Sequence, residues 1–235
     1  MPHRSKPAAK CSERPSPDKR ETLKRIAEAA RQAFAAKGLA DARIDDIAQA
    51  AGVTKQLVYH YFRSKEELFA CVLDESSATT MIDLVAIELD HLPPSEALRA
   101  FLNHMISPYS DPMLSALAQE GIRYHESHIT PRNSFTDLAP KLKQKMHSII
   151  ERGIRDGEFR SDVDPDLFLA AAVQATTSAY VSRYTVATLC GLDLNSEEDA
   201  DVWRRYSVDF VMAAIEAKRS DCHSLERPQP PEQRN

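Results

Sequence analysis

From Leu23 onward the apolar residues of this chain recur at helical and not at strand spacing. Leu23, Ile26, Ala27, Ala30 and Phe34 stand at i, i+3, i+4, i+7 and i+11, the stripe that one face of an α-helix turns toward a core. This first helix is expected to end near Gly38. Ile44, Ile47, Ala48 and Ala51 repeat the pattern over a shorter segment closed by Gly52. Beyond Leu84, helical segments are expected from about Ser95 to Ile106, Asp111 to His128, Phe135 to Asp156, Asp164 to Leu189 and Ser196 to Lys218. The turn-rich stretches HLPPS, SPYSDP, TPRNS, DGEFRSDVDP and GLDLNS separate them. With six glycines and no alternating β-branched run, a sheet has no support, and the expected fold class is all-α.

Charge divides the chain unevenly. Through Lys65 there are 14 Lys and Arg against 7 Asp and Glu, and beyond it 16 against 28, so a net charge of −5 hides a basic head and an acidic body. A basic head suits a polyanion, whose condensed counterions Lys and Arg displace; a solvated charged face would carry the same excess. Cys11, Cys71, Cys190 and Cys222 are far apart and form no CxxC or Cys/His ligand pattern, so reduced thiols are expected, with Cys71 a small core residue of the fourth helix. No apolar run is long enough to span a membrane, and the N-terminus lacks the apolar stretch of a signal peptide, which points to the cytoplasm. Residues 1–17 and 220–235 are Pro-rich without periodicity and are expected to be disordered. Between them the expected domains are 18–63 and 64–219.

The segment GVTKQLVYHYFRSKEEL, from Gly52, carries the most information. On a helix opened by Thr54 as N-cap, Leu57, Val58, Tyr61 and Phe62 fall on one side and Lys55, Gln56, Tyr59 and His60 on the other. A cation, an amide, a phenol and an imidazole are groups that hydrogen-bond base edges and phosphate oxygens. Gly52 in the turn between two short helices gives a helix-turn-helix arrangement. Ser64 and Glu67 then form a capping box that opens a fourth helix.

The run ARIDDIAQAAGVTKQLVYHYFRSKEELFACVL, with the preceding ETLKRIAEAARQAFAAKGLADA, resembles the DNA-binding signature of the TetR family of bacterial transcriptional regulators over roughly residues 19 to 73. The resemblance implies a three-helix DNA-binding head at 18–63, a helical ligand-binding and dimerisation body at 64–219, and a homodimer that reads a palindromic operator in double-stranded DNA. Carried over residue by residue, it places Thr54, Lys55 and Gln56 at the start of the recognition helix, Tyr59 and His60 against the sugar-phosphate backbone, and Lys65 on a phosphate. Arg43 replaces the usual small hydroxyl residue before the second helix, so phosphate contact there comes at the loss of an N-cap. The basic arm of Arg4, Lys6, Lys10, Arg14, Lys19 and Arg20 suits either the minor groove or simple solubility.

In the body, the small-residue run AAAVQATTSAYV and the spaced Trp203, Tyr206, Phe210, Val211 and Ala214 suit close helix packing, and the resemblance assigns these two helices to a four-helix dimer interface. Candidates for an effector cavity are His104, Tyr109, Arg123, Tyr124, His125, Tyr180 and Tyr184, together with Asn103, His128 and Arg183. Aromatics mixed with Arg or His suit a small aromatic or carboxylate-bearing effector. His125 and His128 lack a completing ligand set, so neither a metal nor a cofactor is expected. No GxSxG, phosphate-cradling Gly loop or HExxH supports an enzyme. The expected function is a ligand-responsive transcriptional repressor released by a small molecule; an activator of the same family and a helical protein adaptor are the alternatives.

Overall fold

The computed structural model describes residues 17–128 and 133–217. Arg4, Lys6, Lys10 and Arg14 of the basic arm, Cys11, Cys222, and the two tails apart from Pro17 lie outside that range. The described chain is all-α: α1 (Pro17–Asp41), α2 (Ile44–Ala50), α3 (Lys55–Tyr61), α4 (Lys65–Ala86), α5 (Pro94–Ile106), a 3-10 turn (Ser107–Ser110), α6 (Pro112–Ser127), α7 (Ser134–Arg155), α8 (Pro165–Val181), α9 (Arg183–Cys190) and α10 (Glu197–Ile215).

The head closes around the stripe read from the sequence. Ile26, Ala30 and Phe34 of α1 are fully buried, against Ile47 of α2 and Val58 of α3, and Phe34 meets Phe69 edge-on at 4.9 Å. Regular helix geometry in α1 is lost at Gly38, whose φ of 70° places it in the region open to glycine. A side chain there would also press on Glu120 of α6, 3.3 Å from an added Cβ. The α2–α3 turn uses Gly52 in the same way, at φ 66°. Thr54 Oγ1 caps α3 by accepting from the Leu57 amide at 3.2 Å. Ser64 caps α4 through the Glu67 amide, while the Glu67 carboxylate accepts from the Arg63 amide, one residue before the capping-box partner.

α4 belongs to both halves of the molecule. Leu68, Phe69, Val72 and Leu73 complete the head core, and Met81 and Leu84, further along the same helix, enter the body core. Cys71 is exposed on α4 and not in the core, because the helix turns its 68, 69, 72 and 73 positions inward and leaves 71 on the opposite side. α6 reaches back the other way: Leu117, 2% exposed, packs within the head core.

The body core gathers Phe101, Leu102 and Ile106 of α5, Met146 and Ile150 of α7, Tyr180 of α8 and Val208 and Ile215 of α10. Arg152 fastens the α4–α5 connection by donating to the carbonyls of Leu89, Asp90 and Leu92. The helix expected from Asp164 to Leu189 is two helices, broken at Ser182 (φ −107°, ψ 38°). Polar side chains take over the carbonyls there: Gln119 donates to Val181 O, and Arg183 Nε to Tyr180 O at 3.2 Å. The break is thus supported both locally, by Arg183, and from α6, by Gln119.

Candidate nucleic-acid interface and ligand cavity

α3 separates its two faces as its spacing requires. Val58 is 1% exposed and Leu57, Tyr61 and Phe62 are half-buried, whereas Lys55, Gln56, Tyr59 and His60 are exposed, Tyr59 to 44%. Thr54 is exposed as well, its oxygen engaged in the cap. His60 leans edge-on against Tyr61 at 5.3 Å, and Lys19 of α1 lies 5.8 Å over the Tyr61 ring. Both contacts steady the outer face of α3 from the side.

Two of the candidate cations are already engaged within the protein. Lys55 Nζ lies 2.9 Å from Asp45 Oδ2 of α2, and this hydrogen-bonded carboxylate raises the Lys55 pKa above the usual lysine value. Lys65 donates to the carbonyls of Ala40 and Ala42 at 3.0 and 3.1 Å, tying the start of α4 to the connection between α1 and α2. Arg43 is exposed just before α2, and its side chain forms no cap, in keeping with the missing hydroxyl residue. Asp45 carried no signal in the sequence, since its partner is ten residues away on another helix.

A cavity of about 420 Å³ opens in the body between α4, α6, the 3-10 turn and the start of α7. Of the residues expected there, Tyr109 and His125 line it; His104, Arg123, Tyr124, Tyr180 and Tyr184 do not. Burial pushes the Tyr109 hydroxyl pKa up, against a hydrogen bond with Thr177. Tyr180 is fully buried behind Tyr109, ring centroids 5.9 Å apart, and its pKa is likewise raised by burial. Arg123 pairs with Glu120, and Tyr124 packs edge-on against Phe69 and stacks on His128 at 4.3 Å. Asn103 bonds Arg99 and Arg204, while Tyr184 projects from α9, 84% exposed. Among the described residues no cluster of three or more His, Cys, Asp or Glu could hold a metal ion.

The remaining wall comes from residues the sequence reading passed over. α4 contributes Leu73, Ser76, Ser77 and Thr80, and α6 contributes Leu117, Gly121 and Ile122. One signal was available: Ser76, Ser77, Thr79 and Thr80 cluster four poor helix formers within a long helix. Leu73 and Leu117 belong to the cavity wall and to the head core at once.

Comparison with known proteins accords with this geometry. Residues 26–72 match the family model described as bacterial regulatory proteins, tetR family, and residues 94–211 match the tetracyclin repressor-like C-terminal domain. The transcriptional repressor NicS of Pseudomonas putida is 25% identical over 199 residues, covering 83% of this chain and 92% of NicS. The transcriptional regulator SrpR of the same species is 30% identical over 151 residues, covering 61% of this chain and 66% of SrpR. Among solved structures, SmeT, the repressor of the Stenotrophomonas maltophilia multidrug efflux pump SmeDEF, superposes with a TM-score of 0.63 at 20% identity, covering 89% of this chain and all of that one. FadR of Bacillus subtilis in complex with stearoyl-CoA gives a TM-score of 0.60 at 18% identity, covering 82% of this chain and 99% of FadR. At these identities the two structures establish a shared fold.

Proposed function

The chain belongs to the TetR family of bacterial transcriptional regulators, and from that premise we propose that it represses transcription by holding a palindromic operator as a homodimer until a small molecule enters the body. The observation that carries the reading is the exposed row Lys55, Gln56, Tyr59 and His60 over the buried Val58, on a short helix that follows a glycine turn. Gln56 suits an adenine edge, while Tyr59 and His60 suit the backbone. Lys55 reaches DNA by leaving Asp45. Arg43 and Thr54 flank the row and contribute phosphate contacts. Such a protein works beside the chromosome, in the cytoplasm, and needs no catalytic residues.

The dimer reading is supported by what α8 and α10 leave outside. Inwardly the two helices are joined by Trp203 Nε1 donating to Thr176 O at 3.1 Å. Outwardly α8 exposes Leu167, Ala170, Ala171 and Ser178, and α10 exposes Tyr206, Phe210, Ala213 and Ala214. Small residues beside large apolar ones, unpartnered within one chain, suit a two-fold contact with a second copy. Two heads held at fixed separation then meet successive major grooves.

The test is retention of fragmented genomic DNA by the purified protein at moderate salt, followed by anisotropy on the fragments retained. Duplexes sharing an inverted repeat are expected, with affinity falling steeply with salt. Binding should be lost in the Lys55→Ala, Tyr59→Ala double variant. Phe210→Asp should give monomers in sedimentation and weaken operator binding. Retention no better than a charge-matched control protein, with and without metabolite extract, refutes the reading.

A further inference from the structure

α1 runs back along the recognition helix and sets a cation at each end of it. Lys19 lies over the ring of Tyr61, the last residue of α3, 5.8 Å from its centroid. Two turns further along α1, the Arg25 guanidinium lies at the turn that precedes α3, its Nη1 3.5 Å from where a Cβ on Gly52 would stand. Both cations are exposed. Glu28, the acid one turn beyond Arg25, is committed to Arg31 and Gln32, each at 3.1 Å.

Dimensions decide what a side chain at that place reaches. A helix with its side chains is about 10–12 Å across and the major groove about 12 Å wide, so a recognition helix fills the groove from wall to wall. The row Lys55, Gln56, Tyr59 and His60 points outward from α3, whereas Arg25 is held beside it, and what stands beside a seated recognition helix falls over sugar and phosphate. The first residues of such a helix are the ones that meet base edges, and Arg25 flanks that end. Its planar fork takes two oxygens of one phosphate, and a guanidinium already resting on a turn has less freedom to lose on binding.

Resting on the DNA-binding reading above, we infer that Arg25 of α1 is a phosphate anchor of the head, gripping the backbone strand that walls the groove beside the start of the recognition helix. It fixes the register of the head on the duplex and carries no sequence information, as phosphate contacts do.

Fluorescence anisotropy on the full chain tests the inference across a salt series. The probes are a labelled duplex of about 30 bp carrying the inverted repeat retained from genomic DNA, long enough for two half-sites, and a duplex of the same composition with its sequence shuffled. Arg25→Ala should reduce the salt slope by about 0.9 for each copy bound and weaken both duplexes at low salt, by about tenfold per copy. Arg25→Lys should restore the slope and leave about a twofold deficit, since charge returns without the fork. Lys141→Ala, which removes the same charge from an exposed position on α7, should leave the slope unchanged. Ethylation of single phosphates should interfere with binding of the parent chain at one position per half-site where it no longer affects Arg25→Ala. Thermal melts verify that the variants are folded. An unchanged slope in Arg25→Ala overturns the inference, whether or not its melting temperature falls. So does a loss confined to the inverted repeat, or an equal fall in slope with Lys141→Ala. A parent chain that binds neither duplex refutes the DNA-binding reading and the inference together, whereas an unchanged slope beside a parent that binds removes the anchor alone.

Discussion

Replacing Lys65 with methionine separates a phosphate contact from a structural clamp. In the free protein the ammonium donates to Ala40 O and Ala42 O, two carbonyls at the end of α1 and in the connection to α2. A cation suits that place, since the helix end carries partial negative charge. Methionine keeps most of the aliphatic stem and removes the donors. Ala40 is exposed and its carbonyl recovers water, whereas Ala42 is 2% exposed and recovers less. A hydrogen bond from a charged donor contributes about 1.5–3 kcal/mol, and one of the pair is largely replaced by water, so the net loss is about 2 kcal/mol. For a chain of this size that lowers the melting temperature by about 4–8 °C. Thermal melts by circular dichroism measure the loss, and anisotropy across a salt series reads the number of phosphates neutralised. A clamp predicts the lower melting temperature with an unchanged salt slope. An unchanged melting temperature, with a slope reduced by about 0.9, would show that Lys65 acts on phosphate and refute the clamp.

Asp45→Asn frees Lys55 and removes an anion next to the recognition helix, so duplex affinity should rise about two- to fivefold in anisotropy and the gain should shrink as salt is added. Gly153→Ala would drive a methyl to within 2.0 Å of the Phe159 ring, and denaturant titration should show a loss of about 1–3 kcal/mol or more. Alkaline pH should destabilise the body, because burial raises the pKa of Tyr109 and Tyr180 above the unfolded value. Their contribution is complete below an unfolded pKa of about 10 and is lost as pH rises through the folded values, so melting temperature should decline above about pH 10, less steeply in Tyr109→Phe.

The head was legible because its information is local. Val58 in and Tyr59 out follow from 100° per residue, and Thr54, Ser64 and Gly52 each act within four residues of their own position. What escaped the sequence depends on partners from elsewhere in the chain. Lys65 projects toward solvent by spacing alone, and only the fold brings Ala40 and Ala42 beneath it. The α8 to α9 break has no Gly or Pro to announce it; Gln119, some sixty residues distant, stabilises it from α6. The cavity is assembled from four elements, so type alone could not tell Tyr109, which lines it, from Tyr184, which faces water. Cys71 illustrates the converse, since phase along α4 already opposed a core position that residue type favoured.

The shared wall links the two halves of the proposed mechanism. Leu73 and Leu117 touch both the cavity and the head core, so each side chain has one rotamer to satisfy two packings. Close-packed interiors do not deform continuously, and a ligand that repositions Leu73 also disturbs the seam of α4 and α6, where Leu73 lies against Gly121 and Phe69 meets Tyr124 at 5.2 Å. Because α4 starts at the head and ends in the body, a change in its packing alters the direction in which the head is carried. The ligand need bind only one arrangement better than the other, since that difference in affinity is all that can shift the balance between them. In the proposed dimer a change in head direction would alter the separation of the two recognition helices, which successive major grooves hold at about 34–36 Å.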